Sequence, residues 1–160
     1  MDKNLEAILF EWNFIRSCSI SFINDLNDAD LDRILPRKGL NTFRKHFQEM
    51  IEVQDDYMVA ISNSKMAFNG TPDSQIDGKF TKEQLLDNMK SLDSKLVEVL
   101  ESIDENAYVE WFGKKLPLSF HLSSMISHES MHIGQIIAFC YALDIQIPNY
   151  IIENWALSGK

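Results

Sequence analysis

The sequence has no cluster of lysine or arginine, and its formal net charge is −9 at pH 7. Nucleic-acid backbones and anionic membrane surfaces both favour proteins that carry a basic patch. We therefore predict that neither nucleic acid nor a membrane is a partner of this chain. The sequence also lacks an uninterrupted apolar run of the length that a transmembrane helix requires.

Cysteine is equally scarce, with Cys18 and Cys140 alone among 160 residues. Two cysteines are too few for a disulfide framework, and the first residues lead into an amphipathic segment rather than a signal peptide. We predict a cytoplasmic location. There is no internal repeat, and 45% hydrophobic residues are enough to bury one core. We therefore predict a single domain over residues 1–160.

Four long segments repeat apolar residues at helical spacing. They cover residues 2 to about 26, 41 to about 61, 81 to about 103, and 117 to about 143. Asn41 is a plausible N-cap for the second helix, and the third opens on a capping box from Thr81 to Gln84. Pro117 suits the first turn of the fourth helix. This pattern predicts an all-α protein with a four-helix bundle.

The connections are identified by their proline, glycine and small polar residues. Residues 27–34 form a break with a short helical turn, and residues 35–39 form a loop. The long connection at residues 63–80 permits a crossover. Residues 108–112 can be extended before a turn at Gly113-Lys114, which suggests a short hairpin. The tail at residues 150–157 carries enough apolar surface to pack back on the bundle.

The fourth helix carries two histidines four residues apart, His128 and His132, with Glu129 between them. Side chains at this spacing project from one face of a helix, so both imidazoles can reach one metal ion. Zinc, nickel and ferrous iron accept neutral imidazole nitrogen. The letters also match the zincin motif H-E-x-x-H, but a zincin takes a third ligand downstream, and no histidine follows His132. The alternative is that both are ordinary core or surface histidines.

The same histidines lie on the buried stripe of that helix. Within about 40° of one line are His121, Met125, His128, His132, Gln135, Phe139 and Leu143. Buried imidazoles are costly unless their nitrogens find partners, and a metal satisfies several together. His46, on the inner face of the second helix, is the natural third ligand, although alone it would be a hydrogen-bonded core residue. We predict that His46, His128 and His132 bind one divalent metal.

Three other polar residues are weaker candidates for a functional role. Glu129 lies about 80° around the helix from the histidines, so it could act in catalysis, orient His46 or lie on the surface. Gln135 points more directly than Glu129 toward the face that carries the histidines. It could hydrogen-bond a metal-bound ligand or have a structural role. Arg16 lies near the apolar stripe of the first helix, either as a side chain reaching the edge of the core or as an anion-binding group.

The fourth helix is apolar around most of its circumference and carries a strip of small residues. These are Ser123, Ser127, Ser130 and Gly134. A helix of this kind is buried on two sides, which favours a homodimer with this helix at the interface. A simple core helix is the alternative.

His46 in the second helix, then His128-x-x-x-His132-x-Gly134-Gln135 in the last, resemble the DinB family. The connection Phe112-Gly113-Lys114-Lys115 is also similar to that family's, and the resemblance spans nearly the whole chain. Relatives include YfiT-like metal-dependent hydrolases, bacillithiol transferases and mycothiol-dependent maleylpyruvate isomerase. The resemblance implies a four-helix bundle with a crossover, three metal ligands at His46, His128 and His132, and a homodimer. The family often has a basic or aromatic residue where this chain has Ile133, which weakens inferences about substrate contacts.

These observations predict a metal-dependent enzyme in which zinc or nickel activates a small thiol or water. The substrate would be a small molecule. The reaction would transfer a low-molecular-weight thiol to an electrophile, or hydrolyse a small amide or ester. One alternative is a stress-associated metal-binding protein without turnover. Another is a bundle with buried histidines and no metal.

Overall fold

The fold was taken from a computed structural model, which describes residues 3–68, 72, 75–104 and 106–157. Most of this described part is helical, and one two-stranded hairpin precedes the last long helix. The elements are α1 (Lys3–Asp25), α2 (Asp28–Leu31), α3 (Phe43–Asn63), α4 (Lys82–Ser102), β1 (Tyr108–Trp111), β2 (Lys114–Pro117), α5 (Leu118–Leu143) and α6 (Asn149–Asn154). The predicted all-α four-helix bundle is confirmed, with α1, α3, α4 and α5 as its long helices.

The four long helices enclose one core in an arrangement set by their neighbours. Both α4 and α5 pack against α1 and α3, so α1 faces α3 across the bundle axis and α4 faces α5. The Lys82 side chain at the start of α4 reaches backbone carbonyls near the end of α1, so these helices are antiparallel. Contacts His121–Tyr57 and His132–His46 make α3 and α5 antiparallel as well.

The helices α3 and α4 are parallel neighbours. Near their starts, Arg44 donates to the backbone carbonyl of Phe80, and further along Gln54 donates to Asp93. The connection between two parallel helices must return along the length of the bundle, which confirms the predicted crossover. The predicted loop includes residues 69–71, 73 and 74, which lie outside the described part of the chain.

Local sequence signals explain most element ends. The capping box of α4 is confirmed, because Thr81 and Gln84 each accept a hydrogen bond from the other's backbone N–H. The cap of α3 is Thr42, whose hydroxyl accepts from the Lys45 N–H at 3.2 Å, so the prediction of Asn41 was wrong by one residue.

The hairpin is confirmed, but its turn lies at Phe112-Gly113, one residue before the predicted pair. Both turn residues have positive φ, 49° and 82°, as a two-residue type I′ turn requires. The tail also packs back as expected. Ile151 of α6 is buried, and the Trp155 ring stacks on Phe14 with centroids 5.9 Å apart. In the residues described, no helix combines the length and apolar character needed to cross a bilayer.

Candidate metal centre

Three potential metal ligands from α3 and α5 converge in the core. Nε2 of His132 lies 2.8 Å from Oε2 of Glu49 and 3.3 Å from Nε2 of His128. Nε2 of His128 lies 3.3 Å from the other carboxylate oxygen, Oε1. His132 is almost fully buried, whereas the His128 side chain is 21% exposed. The cluster is therefore a buried site that solvent reaches from the His128 side.

The Glu49 carboxylate is ionised although it is buried. Burial alone would raise its pKa, but the hydrogen bond from His128 and the adjacent His132 imidazole outweigh that effect and lower the pKa to about 2. Oε2 nevertheless has no hydrogen-bond donor within the described residues. The 2.8 Å contact with Nε2 of His132 is close enough for a hydrogen bond but lacks the alignment of one. A buried carboxylate oxygen is thus left without a donor beside two imidazole nitrogens.

This arrangement fits a divalent cation. Ligands about 2.0–2.1 Å from a tetrahedral zinc ion are roughly 3.3 Å from one another. The two Nε2 atoms are 3.3 Å apart, and Nε2 of His128 is 3.3 Å from Oε1 of Glu49, whereas the 2.8 Å from Nε2 of His132 to Oε2 is shorter. Two imidazoles and a carboxylate are also a donor set that zinc uses in enzymes, and imidazole suits nickel and iron as well. A cation would satisfy the unpaired Oε2 of Glu49. Glu49, His128 and His132 are therefore the residues that could hold a metal.

His46 lies behind this cluster rather than in it. Its Nδ1 is 3.0 Å from Nδ1 of His132, on the edge of that ring remote from Nε2. Burial lowers the pKa of His46 to about 3, with further contributions from the charges of His132 and Arg37. Nη1 of Arg37 lies 3.5 Å from Nε2 of His46. The sequence-based assignment of His46 as a ligand stays a prediction, since the three converging donors do not include it.

Glu49 was not identified from the sequence. It follows His46 by three residues on α3, which places the two side chains about 60° apart on the helix and both toward α5. The sequence feature that could have identified Glu49 as a candidate ligand is its position one helical turn from a histidine predicted to be buried. Periodicity could not show which of the two donors lies level with His128 and His132.

Glu129 and Arg16 form part of a second polar cluster in the centre of the bundle. Nη1 of Arg16 lies 2.9 Å from Oε1 of Glu129, and both side chains are nearly fully buried. Ser19 also donates to Oε1 of Glu129. The Glu129 carboxylate thus points toward α1, away from Glu49 on α3. Neither the role of Glu129 as a catalytic residue nor that of Arg16 as an anion-binding group is favoured by these contacts.

The second cluster joins all four long helices. Nε of Arg16 lies 3.2 Å from Oδ1 of Asp93 on α4, and Nη2 donates to the Gln54 side chain on α3. Gln54 in turn donates to Asp93, and so does the indole N–H of Trp12. We call Trp12, Arg16, Ser19, Gln54, Asp93 and Glu129 the central network. Its one cation is shared between two carboxylates within the bundle core.

The other sequence candidates lie apart from the three donors. Nδ1 of His121 accepts from the Trp111 indole at 3.0 Å, and Nε2 donates to the Tyr57 carbonyl at 2.9 Å. Both ring nitrogens are therefore satisfied, and burial lowers the pKa of this residue. Gln135 is half-buried three residues after His132. Its contribution to the site stays a prediction.

Comparison with known proteins places the fold in a family. A family model for the DinB superfamily matches residues 12–136, which include all three converging donors. A search of the curated proteins found no match. Among solved structures, a DinB-like protein from Bacillus cereus ATCC 10987, determined at 2.01 Å resolution, is 19% identical to this chain. The similarity covers 90% of this chain and 95% of that protein, with a TM-score of 0.69, and at this identity it concerns the fold alone. On the family match, this chain belongs to the DinB superfamily.

Proposed function

We propose that this chain is a metal-dependent enzyme whose divalent ion, zinc or nickel, is held by Glu49, His128 and His132. The observation that carries the proposal is the convergence of two imidazole nitrogens on a buried carboxylate whose Oε2 has no donor in the described part of the chain. When bound, such an ion supplies a Lewis acid that makes a small thiol or water nucleophilic near neutral pH. The reaction class proposed is thiol transfer to an electrophile or hydrolysis of a small ester or amide.

The residues around the site support this role in two ways. His128 is the most exposed of the three donors, so a small substrate would approach along its side of the cluster. Glu49 contributes a negative charge, which reduces the net charge of a divalent site from two to one and favours retention of the cation. Gln135, on the same face of α5, is proposed as a hydrogen-bonding group for a substrate or ligand.

Metal uptake tests the proposal directly. Untagged protein stripped with a chelator and dialysed against zinc or nickel should bind one ion per chain by mass spectrometry of metals. Glu49→Gln and His128→Ala should lose most of that metal. Glu52→Gln is the matched control, because it removes the same charge one turn further along α3, outside the three converging donors. Equal metal content in all four proteins would refute the site.

Turnover is tested separately on metal-loaded protein. Candidate reactions are consumption of a low-molecular-weight thiol with a chlorinated aromatic electrophile, and hydrolysis of nitrophenyl esters. Activity that appears on loading and is absent from Glu49→Gln would support an enzyme. Stoichiometric metal without turnover in these assays would favour the alternative, a metal-binding protein without enzymatic activity.

We also propose that the chain forms a homodimer through the outer face of α5. Along the full length of α5, the exposed residues on that face carry no formal charge. They are Phe120, Ser123, Ser127, Met131, Gly134, Ala138 and Tyr141. A Cβ added at Gly134 would meet no heavy atom within 4 Å, so packing inside this chain does not require glycine there. Two copies, each with a net charge of −9, can meet on an uncharged face without opposing like charges.

A further inference from the structure

Arg16 joins the two helices that carry the candidate metal ligands. Its Nη1 lies 2.9 Å from Oε1 of Glu129 on α5, and its Nη2 donates to the Gln54 side chain on α3. Arg16 is 2% exposed, and Gln54 and Glu129 are each 1% exposed. A guanidinium is planar and rigid, so its two terminal nitrogens hold these contacts at a fixed separation. The contacts therefore link α3 to α5 through one group that belongs to neither helix.

The guanidinium of Arg16 is itself held from two other directions. Its Cζ lies 4.6 Å from the ring centroid of Trp12, one turn earlier on α1, which is a cation–π distance. Its Nε lies 3.2 Å from Oδ1 of Asp93 on α4, and the same oxygen accepts from the Trp12 indole at 2.9 Å. Arg16 is thus fixed relative to α1 and α4. Movement of α3 or α5 past it would break a buried polar contact, which is costly.

Glu129 anchors α5 at the height of two candidate ligands. It follows His128 by one residue and precedes His132 by three, so the three side chains leave α5 within about one turn. The Ser19 hydroxyl of α1 donates to the same Oε1 that Arg16 contacts. These contacts with α1 oppose rotation of α5 about its own axis, at the point where its two histidines face α3.

A metal site tolerates little rotation of the helix that carries its ligands. A side-chain atom about 6 Å from a helix axis moves about 1 Å when the helix rotates by about 10°. Metal–ligand distances, in contrast, lie within about 0.2 Å of their usual values. Apolar packing defines helix positions less finely, because cores lose rigidity before they lose stability when their side chains change. A directional polar link at this height therefore has a use that the surrounding apolar core does not supply.

We propose that Arg16 is a positioning residue, which holds α5 at the rotation and height relative to α3 at which His128 and His132 meet Glu49. The role rests on the proposed function, because it concerns the same metal site. His46 and Glu49 both lie on α3, so this register governs any donor that α3 supplies. Buried ionic groups often add little net stability compared with apolar residues of similar volume, and fixing the register of packed helices is their best-attested use.

Zinc affinity, measured by competition with a chromophoric chelator, tests the proposal on two variants. Arg16→Met should bind zinc about 10-fold more weakly than wild type, at the lower end of the loss expected when residues that support a metal site are removed. Adding Glu129→Gln removes the unpaired buried charge and so restores part of the stability. It does not restore the link between α3 and α5. The double variant should therefore be more stable than Arg16→Met but bind zinc no more tightly.

Leu100→Ala is the control for a loss of stability alone. Leu100 is a buried residue of α4 outside the central network, and its truncation leaves a cavity that is also strongly destabilising. It should bind zinc as tightly as wild type under conditions in which circular dichroism shows every protein to be folded. An equal loss of affinity in Leu100→Ala and Arg16→Met would overturn the proposal, and so would wild-type affinity in both Arg16 variants. Should Arg16→Met not fold, the double variant decides.

Crystal structures of metal-free protein separate failure of this proposal from failure of the proposed function. In the double variant, we expect His128 and His132 to be displaced from Glu49 by about 1 Å relative to metal-free wild type, as a rotation of about 10° would produce. Superimposable α3 and α5 in the two structures would overturn the role of Arg16 whether or not wild type binds zinc. Failure of the proposed function has a different signature, namely wild-type zinc affinity in Glu49→Gln.

Discussion

Replacing Arg16 with methionine isolates the energetic value of the central network. Methionine keeps an unbranched side chain in the core but removes the cation that Glu129 and Asp93 share. Glu129 would then be a nearly fully buried carboxylate whose remaining hydrogen-bond donor, among the described side chains, is the Ser19 hydroxyl. An ionised carboxylate left without its partner inside a protein is strongly destabilising.

The expected loss follows from that burial. Removing one member of a buried ion pair costs about 3–5 kcal/mol. For a chain of this size, each kcal/mol lowers Tm by about 2–4 °C, so Arg16→Met should melt roughly 6–20 °C below wild type. Urea denaturation followed by circular dichroism, with chelator present in every sample, gives the free energy of unfolding without a contribution from bound metal.

Arg33→Met is the matched control. Arg33 also pairs with a carboxylate at 3.2 Å, that of Asp30, but its side chain is 51% exposed. An exposed pair is worth no more than about 1 kcal/mol. Adding Glu129→Gln to Arg16→Met should recover part of the loss, because the unpaired charge disappears. Our account of the central network is refuted if Arg16→Met costs no more than Arg33→Met.

Three further predictions concern the rest of the fold. Burial lowers the pKa of His121, so below about pH 6.5 the unfolded chain binds a proton that the folded chain does not. The free energy of unfolding, measured by urea denaturation, should therefore fall as the pH is lowered from about 7 to about 5.5. The same measurement on His121→Gln should give a shallower dependence on pH. Thr81→Ala removes the capping box of α4 and should cost about 1 kcal/mol in the same assay. Wild type should sediment as a dimer at micromolar concentration and Met131→Glu as a monomer, while Ser94→Glu on the exposed face of α4 stays dimeric; a monomeric wild type would exclude the α5 interface.

The helices of this protein could be predicted from its sequence because apolar periodicity depends on each helix alone. Their faces followed for the same reason, so the burial of His46 and His132 was anticipated. The first-turn cap of α3 was missed because Asn41 and Thr42 are both good caps, and the choice depends on how the preceding loop reaches the helix.

The composition of the candidate metal site could not be predicted in the same way. Its donors come from two helices, and periodicity within a helix carries no information about the relative height of its neighbours. His46 and Glu49 both face α5, but only packing of α3 against α5 sets which of them is level with His128. Arg16 was ambiguous for a related reason, because its carboxylate partners lie on α4 and α5, far away in the sequence.

The position of α5 in the chain has a consequence for synthesis on the ribosome. Chains begin to fold from the N-terminus as they emerge, and here α1, α3 and α4 are made before the helix that packs between α1 and α3. Before α5 is synthesised, Arg16 can pair with the Asp93 carboxylate but not with that of Glu129. At that stage Glu49 also lacks the imidazoles of His128 and His132. The last long helix therefore completes both buried charge clusters at once, so a nascent chain cannot assemble the candidate metal site before this helix packs into the core.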